Sequence, residues 1–495
     1  MAPTFVLAVV LSFTAILVFA HVLWLIADGR RRHLPPGPWP LPVIGNLHAV
    51  KLSGAHRSLA RLAERHGPLM CIWAGRSPVV VVSTPEAASK ILKNPDLVGR
   101  TVLDAWRAEG HADNSVIFLQ PGEKWRAMRR FARSELLTKP RLDARQQLRQ
   151  EKTRELLRYV SERAARGEAV GVGEAVFVSA VNVVSQTLFS VDIGSREVQG
   201  MVTEWWRLVA TPTVSDILPS TARADIQGAR RRMSALVRRI YGLVDEQFTR
   251  RRRDRERGEP GKGDVMDVVI EKEKEWEAAG GHMDYDAAKG LFADLIAAGT
   301  DTISSAVEWA MAELLQCPES MKMATDELKM VIGTKRQVEE SDISQLPYLQ
   351  AVVKETLRLH PVVPIQLLRA MVTVQIEGYT IPKRTNILIN IWAINRQSKM
   401  WVDPNKFMPG RFIGKDISFS GKDFEFMPFS AGRRVCLGMP LAYRMLHLIL
   451  GSLLYHFDWT LPANVKDNAI DMTEKFGAVV SMATPLKAIA KKCDE

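Results

Sequence analysis

The sequence predicts a mainly α-helical protein with small β-sheets, preceded by one membrane-spanning helix. Three observations carry that expectation. A 24-residue run without Asp, Glu, Lys or Arg stands near the start, helical periodicity dominates from about residue 55, and only a few short runs look like strands.

The apolar run is TFVLAVVLSFTAILVFAHVLWLIA, Thr4 to Ala27. At about 1.5 Å per residue it reaches roughly 36 Å, enough to cross a hydrocarbon core of about 30 Å with some tilt. A cleaved signal peptide would want positive charge before the run, a shorter core and a small-x-small site after it. Here the charges follow, at Arg30, Arg31 and Arg32, which places the rest of the chain in the cytosol. An uncleaved anchor over 4–27 in the endoplasmic reticulum membrane is the expectation. A basic and proline-rich hinge follows over 28–50; its core, LPPGPWPLPVIGNL, holds five prolines, which remove backbone donors and stop the helix. The remaining span, 51–495, reads as one cytosolic catalytic domain, because no composition shift splits it.

Within that domain, Leu69–Trp73 and Val79–Val82 look like strands joined at a Ser-Pro turn. Val372–Ile381 and Asn386–Asn390 are further strand candidates. Between Arg141 and Ser320 the chain reads as long amphipathic helices, with GEPGKGD, Gly258 to Asp264, as the clearest surface loop.

Composition narrows the function. The chain has a net charge of +12, but its basic residues lie in short scattered clusters such as Arg230–Arg232 and Arg250–Arg253. None is interleaved with stacking aromatics, so nucleic acid is not the expected partner; an acidic membrane surface or acidic protein fits better. Four cysteines, at 71, 317, 436 and 493, are too few and too scattered for a disulfide framework.

One of them carries chemistry. In PFSAGRRVCLG, Pro428 to Gly438, the thiol of Cys436 follows an arginine and a glycine and precedes another glycine. Such a loop can bring backbone close to a flat macrocycle, and Arg434 can pair with a carboxylate on it. A lone cysteine in a turn is more often structural. Here Phe429, Gly432, Arg434, Cys436 and Gly438 fill all five positions of FxxGxRxCxG, and the stretch resembles the heme-binding loop of the cytochrome P450 monooxygenases. The resemblance implies the cytochrome P450 fold, heme b with Cys436 as axial thiolate and iron ligand, and chemistry in which the thiolate assists O–O cleavage.

Other segments agree with it in order. KETLRLHP places Glu355 and Arg358 three apart on a helix, resembling the family's ExxR pair, with Arg411 of FMPGRF as the third member of a buried triad. Gly410 stands where the family often has Glu. The helix Leu291 to Leu315 carries Asp301 and Thr302 at its middle beside Gly299, and AAGTDT resembles the family's oxygen-binding segment, implying a proton relay through the two residues. Ile303 departs from the Thr or Ser usual there. In EKWRAMRRFARSE, Trp125 and Arg129 resemble the WxxxR helix whose members address a heme propionate, and Arg369 resembles another propionate partner. Arg126, Arg130 and Arg133 form a separate stripe, read either as a solvated face or as a docking surface for an acidic electron donor.

Family regions carried onto this chain line a substrate pocket with Val116, Ile117 and Phe118; Leu295 and Ala298; Val362, Val363 and Ile365; and Ala478, Val479 and Val480. These are apolar and imply a hydrophobic substrate held by shape, with Gln366 either a polar handle or a surface amide. AAGTDTISSAVEWAMAELL and MTEKFG look most like the plant microsomal branch of geraniol and diterpene hydroxylases. No dinucleotide fingerprint occurs, so electrons from NADPH would arrive through a separate P450 reductase. A P450-fold isomerase or dehydratase that uses no O2, and a non-catalytic membrane heme protein, are the alternatives.

Overall fold

The computed structural model describes residues 33–493, apart from 279–282, 334–336, 464–469 and 476, together with isolated positions between 5 and 19. The expected anchor therefore lies for the most part outside the described residues. Among those described, Val172–Phe189 is long and apolar enough to cross a membrane, but Phe177, Ala180 and Val181 within it are fully buried and it forms the centre of the core.

The proline-rich stretch does not stand off the domain. It runs against β1 (Leu69–Ala74): the Cys71 N–H donates to Pro36 O at 2.8 Å, and buried Asn46 exchanges hydrogen bonds with Trp73. The approach is close enough that a Cβ on Gly37 would lie 1.8 Å from the Cys71 carbonyl. Strand β2 (Ser77–Val82) returns antiparallel to β1. The turn is made by Gly75, at φ +61°, and Arg76, not by Ser77-Pro78. Pro78 is tolerated inside β2 because pairing with the next strand starts only at Val79.

Two further strands, β3 (Ile365–Arg369) and β4 (Asn386–Asn390), complete a sheet of order β1-β2-β4-β3. β2 runs parallel to β4, Val79 beside Asn386 and Val82 beside Ile389, and β3 is antiparallel to β4. The unbroken valines of β2 suit a strand covered on both faces. Sequence reading missed β3, and it saw one strand where Val374–Ile376 and Tyr379–Ile381 form a hairpin. Small sheets from Val170–Gly171, Phe457–Thr460 and Lys487–Lys492, and from Glu474–Lys475 with Ser481–Met482, lie elsewhere.

The helical body holds six elements that position the site: α1 (Glu123–Ala132), α2 (Val172–Phe189), α3 (Tyr285–Ala298), α4 (Asp301–Gln316), α5 (Pro347–Leu359) and α6 (Met439–His456). Helix α4 packs on α2, α5 and α6, and the largest apolar cluster fills the space among them. A second cluster lies beneath the sheet, around Val80, Ile387 and Ile389. The expected loop at Gly258–Asp264 is present, and its last residue is buried against Arg251, 2.6 Å from carboxylate to guanidinium.

Candidate active site

One cavity of about 1110 Å³ brings most of the singled-out residues together. Cys436 lies on its wall at the end of a loop built by local geometry. Its N–H donates to Phe429 O at 3.0 Å, closing the loop, and Phe429 itself lines the cavity while packing edge-on to Phe419. Gly432 serves the turn and not the cavity, since it sits at φ +68° and a Cβ there would lie 2.2 Å from the Leu92 carbonyl. Gly438 is the glycine that faces the sulfur: a Cβ there would meet Cys436 Sγ at 3.9 Å. The thiol is open to the cavity. Burial pushes its pKa up, opposed by the Gly438 N–H, the Arg129 charge and the Met439 N–H.

Arginines gather beside the loop. Arg434 donates to Val98 O at 3.0 Å and Leu119 O at 2.6 Å, and Arg129 donates to Val435 O at 3.0 Å. Trp125 lies between them, with the Arg434 and Arg129 guanidiniums 4.4 and 5.0 Å from its ring. Its indole N–H is committed to Val116 O at 3.1 Å, so Trp125 orients the two cations and does not itself line the cavity. Arg100, which sequence reading missed, donates to Leu367 O and has a buried Nε without a partner. Among the described residues none of Arg100, Arg129, Arg369 and Arg434 pairs with a carboxylate. Burial and the neighbouring cations Arg100 and Arg129 push Arg434 down to about 8, and burial with Arg129 pushes Arg100 to about 10. Arg369 is lowered too, by burial and by Arg384 and Arg107. A set of desolvated, unneutralised cations around a thiol fits a cofactor that carries its own carboxylates and a metal accepting sulfur.

Across the cavity, the single helix expected from Leu291 to Leu315 is two. It breaks at Gly299 and Thr300, because three hydroxyls compete for its backbone: Thr300 donates to Ile296 O at 2.8 Å, Thr302 to Ala298 O at 2.7 Å and Ser304 to Asp301 O at 3.1 Å. Gly299 has no room for a side chain, since a Cβ would lie 2.7 Å from Leu295 O. Thr302 lines the cavity. Asp301 sits behind that lining, and burial raises its carboxyl to about 6 against the pull of Lys475. One turn pair further on, burial lifts Glu308 to about 7, although it accepts the Leu486 N–H at 2.9 Å. Ile303 is buried and lines the cavity, so the departure there adds apolar wall.

All of the apolar wall residues expected from sequence line this cavity: Val116, Ile117, Phe118, Leu295, Ala298, Val362, Val363, Ile365, Ala478, Val479 and Val480. Gln366 lines it too, but it is buried and its amide oxygen accepts from Ser430 at 2.5 Å, tying β3 to the cysteine loop. Trp106, Trp206 and Asp294 also line the cavity and went unnoticed. Asp294 could have been found, since a charge seven residues before Asp301 on an otherwise apolar helix marks a buried carboxylate. The Trp residues gave no such signal.

The expected triad is formed and lies off the cavity. Glu355 accepts from Arg358 at 2.7 and 2.9 Å, from Arg411 at 3.0 Å and from the Met408 N–H at 2.8 Å. Arg358 spends its remaining donors on the carbonyls of Asn395, Pro404 and Lys406, so every charge in the group is answered. Gly410 has open space around it, and its departure costs the triad nothing. On α1 and the turn after it, Arg126, Arg130 and Arg133 are exposed, on the helix that also carries Arg129 to the cysteine loop.

The sequence profile described as Cytochrome P450 matches residues 35–489. A geraniol 8-hydroxylase from Swertia mussotii is 40% identical over 93% of this chain and 94% of its own length. A 7-ethoxycoumarin O-deethylase from Helianthus tuberosus is 40% identical over 96% and 98%, and a geranylhydroquinone 3''-hydroxylase from Arnebia euchroma is 38% identical over 97% and 99%.

Proposed function

The chain belongs to the cytochrome P450 family and is a monooxygenase of it, and from that premise we propose that it hydroxylates an apolar terpenoid carbon, using O2 and NADPH electrons relayed by a separate flavoprotein reductase. The observation that carries the reading is the Cys436 thiol and four arginines without a carboxylate partner on the same cavity as the apolar wall residues. Heme b, when bound, supplies O2 binding and O–O cleavage on an iron ligated by the thiolate.

Everything else falls to the protein. Cys436 ligates, with its charge tempered by backbone N–H groups. Arg100, Arg129, Arg369 and Arg434 answer the propionates, and Trp125 holds two of them in place. Phe429 shields the sulfur from water. Thr302 presents a hydroxyl at the cavity edge, and Asp301, which keeps its proton up to about pH 6, serves as the reservoir behind it. The apolar wall positions the substrate by shape, and Gln366 and Asp294 beside it already have protein partners. The exposed Arg126, Arg130 and Arg133 suit an acidic reductase surface. The anchor over 4–27 would hold the domain on the cytosolic face of the endoplasmic reticulum membrane.

The test is incubation of reductase-supplied membranes with a panel of mono- and diterpenes, followed by product identification. A hydroxylated product that requires both NADPH and O2 is expected. Product without O2 would point to isomerase or dehydratase chemistry, and ligand binding with no NADPH-dependent product would leave a carrier.

A further inference from the structure

We propose that Asp294 and Ser115 form a positioning device that sets the gap between the two facing walls of the substrate cavity, and so decides which carbon of the substrate is oxidised. The inference rests on the function proposed above.

The segment 115–119 contributes Val116, Ile117 and Phe118 to the cavity, and α3 contributes Leu295 and Ala298. Between them lies a buried polar knot. The Ser115 hydroxyl lies 2.7 and 2.9 Å from the two carboxylate oxygens of Asp294. The Ile117 N–H donates to Asp294 at 3.3 Å, and the Phe118 N–H donates to the Ser115 oxygen at 3.3 Å. Asp294 is 1% exposed and Ser115 fully buried, so these bonds act where water does not compete. His111 completes the knot: its Nε2 is 3.2 Å from Asp294, outside hydrogen-bond direction, while its Nδ1 is 2.8 Å from the Tyr241 hydroxyl. The His111 ring also meets Trp205 edge-on at 4.9 Å and Phe118 at 5.9 Å.

The far side of the same segment is tied to the cysteine loop. The Val116 carbonyl accepts from Trp125 and the Leu119 carbonyl from Arg434, two residues before Cys436. Five residues are thus clamped between α3 and the thiolate loop. Gly290, one turn before Asp294, permits the approach: a Cβ there would lie 2.0 Å from the Asn114 carbonyl. The Asp294 carboxylate fixes the Ile117 amide directly and the Phe118 amide through the Ser115 hydroxyl, and so transmits its own position to the wall side chains.

The experiment uses the reductase-supported, heme-loaded protein carrying Ser115→Ala, Asp294→Asn or Ser115→Thr. The ferrous–CO spectrum monitors intact thiolate ligation. Two readouts follow: the affinity for 4-phenylimidazole, from the shift of the Soret band, and the ratio of positional products from geraniol. Ser115→Ala and Asp294→Asn are expected to keep the CO band while moving both readouts at least about fivefold, with Ser115→Thr restoring the original ratio. Unchanged readouts in variants with a full CO band would overturn the proposal. So would loss of heme from both variants, which would make the knot a folding element alone. If the unmodified protein leaves geraniol untouched, the terpenoid reading fails at that substrate and the azole affinity still decides this one.

Discussion

Two groups of buried arginines behave in opposite ways. Arg358 and Arg411 share Glu355, fill their remaining donors with backbone carbonyls and touch nothing in the cavity. Arg434, Arg129 and Arg100 are also sheltered, yet they face one another with no carboxylate among the described residues, and burial holds Arg434 down to about 8. The first group is complete in the polypeptide. The second is a debt of negative charge that only a bound anion can settle, which is how a cofactor site differs from a structural ion cluster of the same residue type.

That contrast can be broken most severely at Glu355. Glu355→Gln strands two buried guanidiniums, and loss of one partner of such a pair costs about 3–5 kcal/mol. The expected outcome is failure to accumulate any CO-binding protein. Normal yields would show that the triad is not answered by Glu355 alone.

The arginine pocket should respond with a different signature. Arg434→Gln removes a cation that burial disfavours, so the apoprotein's thermal midpoint is expected to move by no more than about 2 °C. Heme retention in the same variant should fall by about tenfold or more, as for loss of a charge-assisted bond. Equal destabilisation of apo and holo forms would instead make Arg434 a structural residue like Arg358.

Across the cavity the expected effect is on coupling. Thr302→Ala should keep heme and NADPH oxidation while the share of electrons reaching product drops several-fold, measured as product formed per NADPH consumed. Unaltered coupling would remove Thr302 from proton delivery.

The smallest effect concerns Asp301 and pH. Its carboxyl is raised by burial from 3.8 to about 6, so ionisation disfavours the folded state. That stability is intact below about pH 4 and is lost as pH rises through about 6. Asp301→Asn should therefore be the more stable protein at pH 7 to 8, with the gap closing between about 6 and 4 in denaturant titrations. A gap independent of pH would contradict the burial of Asp301.

The two arginine groups also mark what was legible in the sequence. Glu355, Arg358 and Arg411 were readable because their partners are fixed by short spacings, three apart on a helix and one stretch later in the chain. Cys436 was readable because the five positions that identify its loop lie within ten consecutive residues. Arg100 was not, since its meaning comes from cations 29 and 334 residues away, and no local pattern carries that. The break at Gly299 looked like a bend because three successive hydroxyl-to-carbonyl bonds are a property of the folded helix. Strand β3 was hidden for a similar reason: Ile365–Arg369 follows two prolines, and its partners, β4 and Gly99, come from elsewhere in the chain. The wall residues were found through family resemblance, while the Asp294 knot behind them required coordinates.

The central claim is that the Cys436 sulfur ligates heme iron within this cavity. The most direct measurement is the carbon monoxide difference spectrum of the reduced protein, beside that of Cys436→Ala. A red-shifted Soret band is expected for the former and none for the latter. An unshifted band in the unaltered protein, or the same band in both, would contradict it.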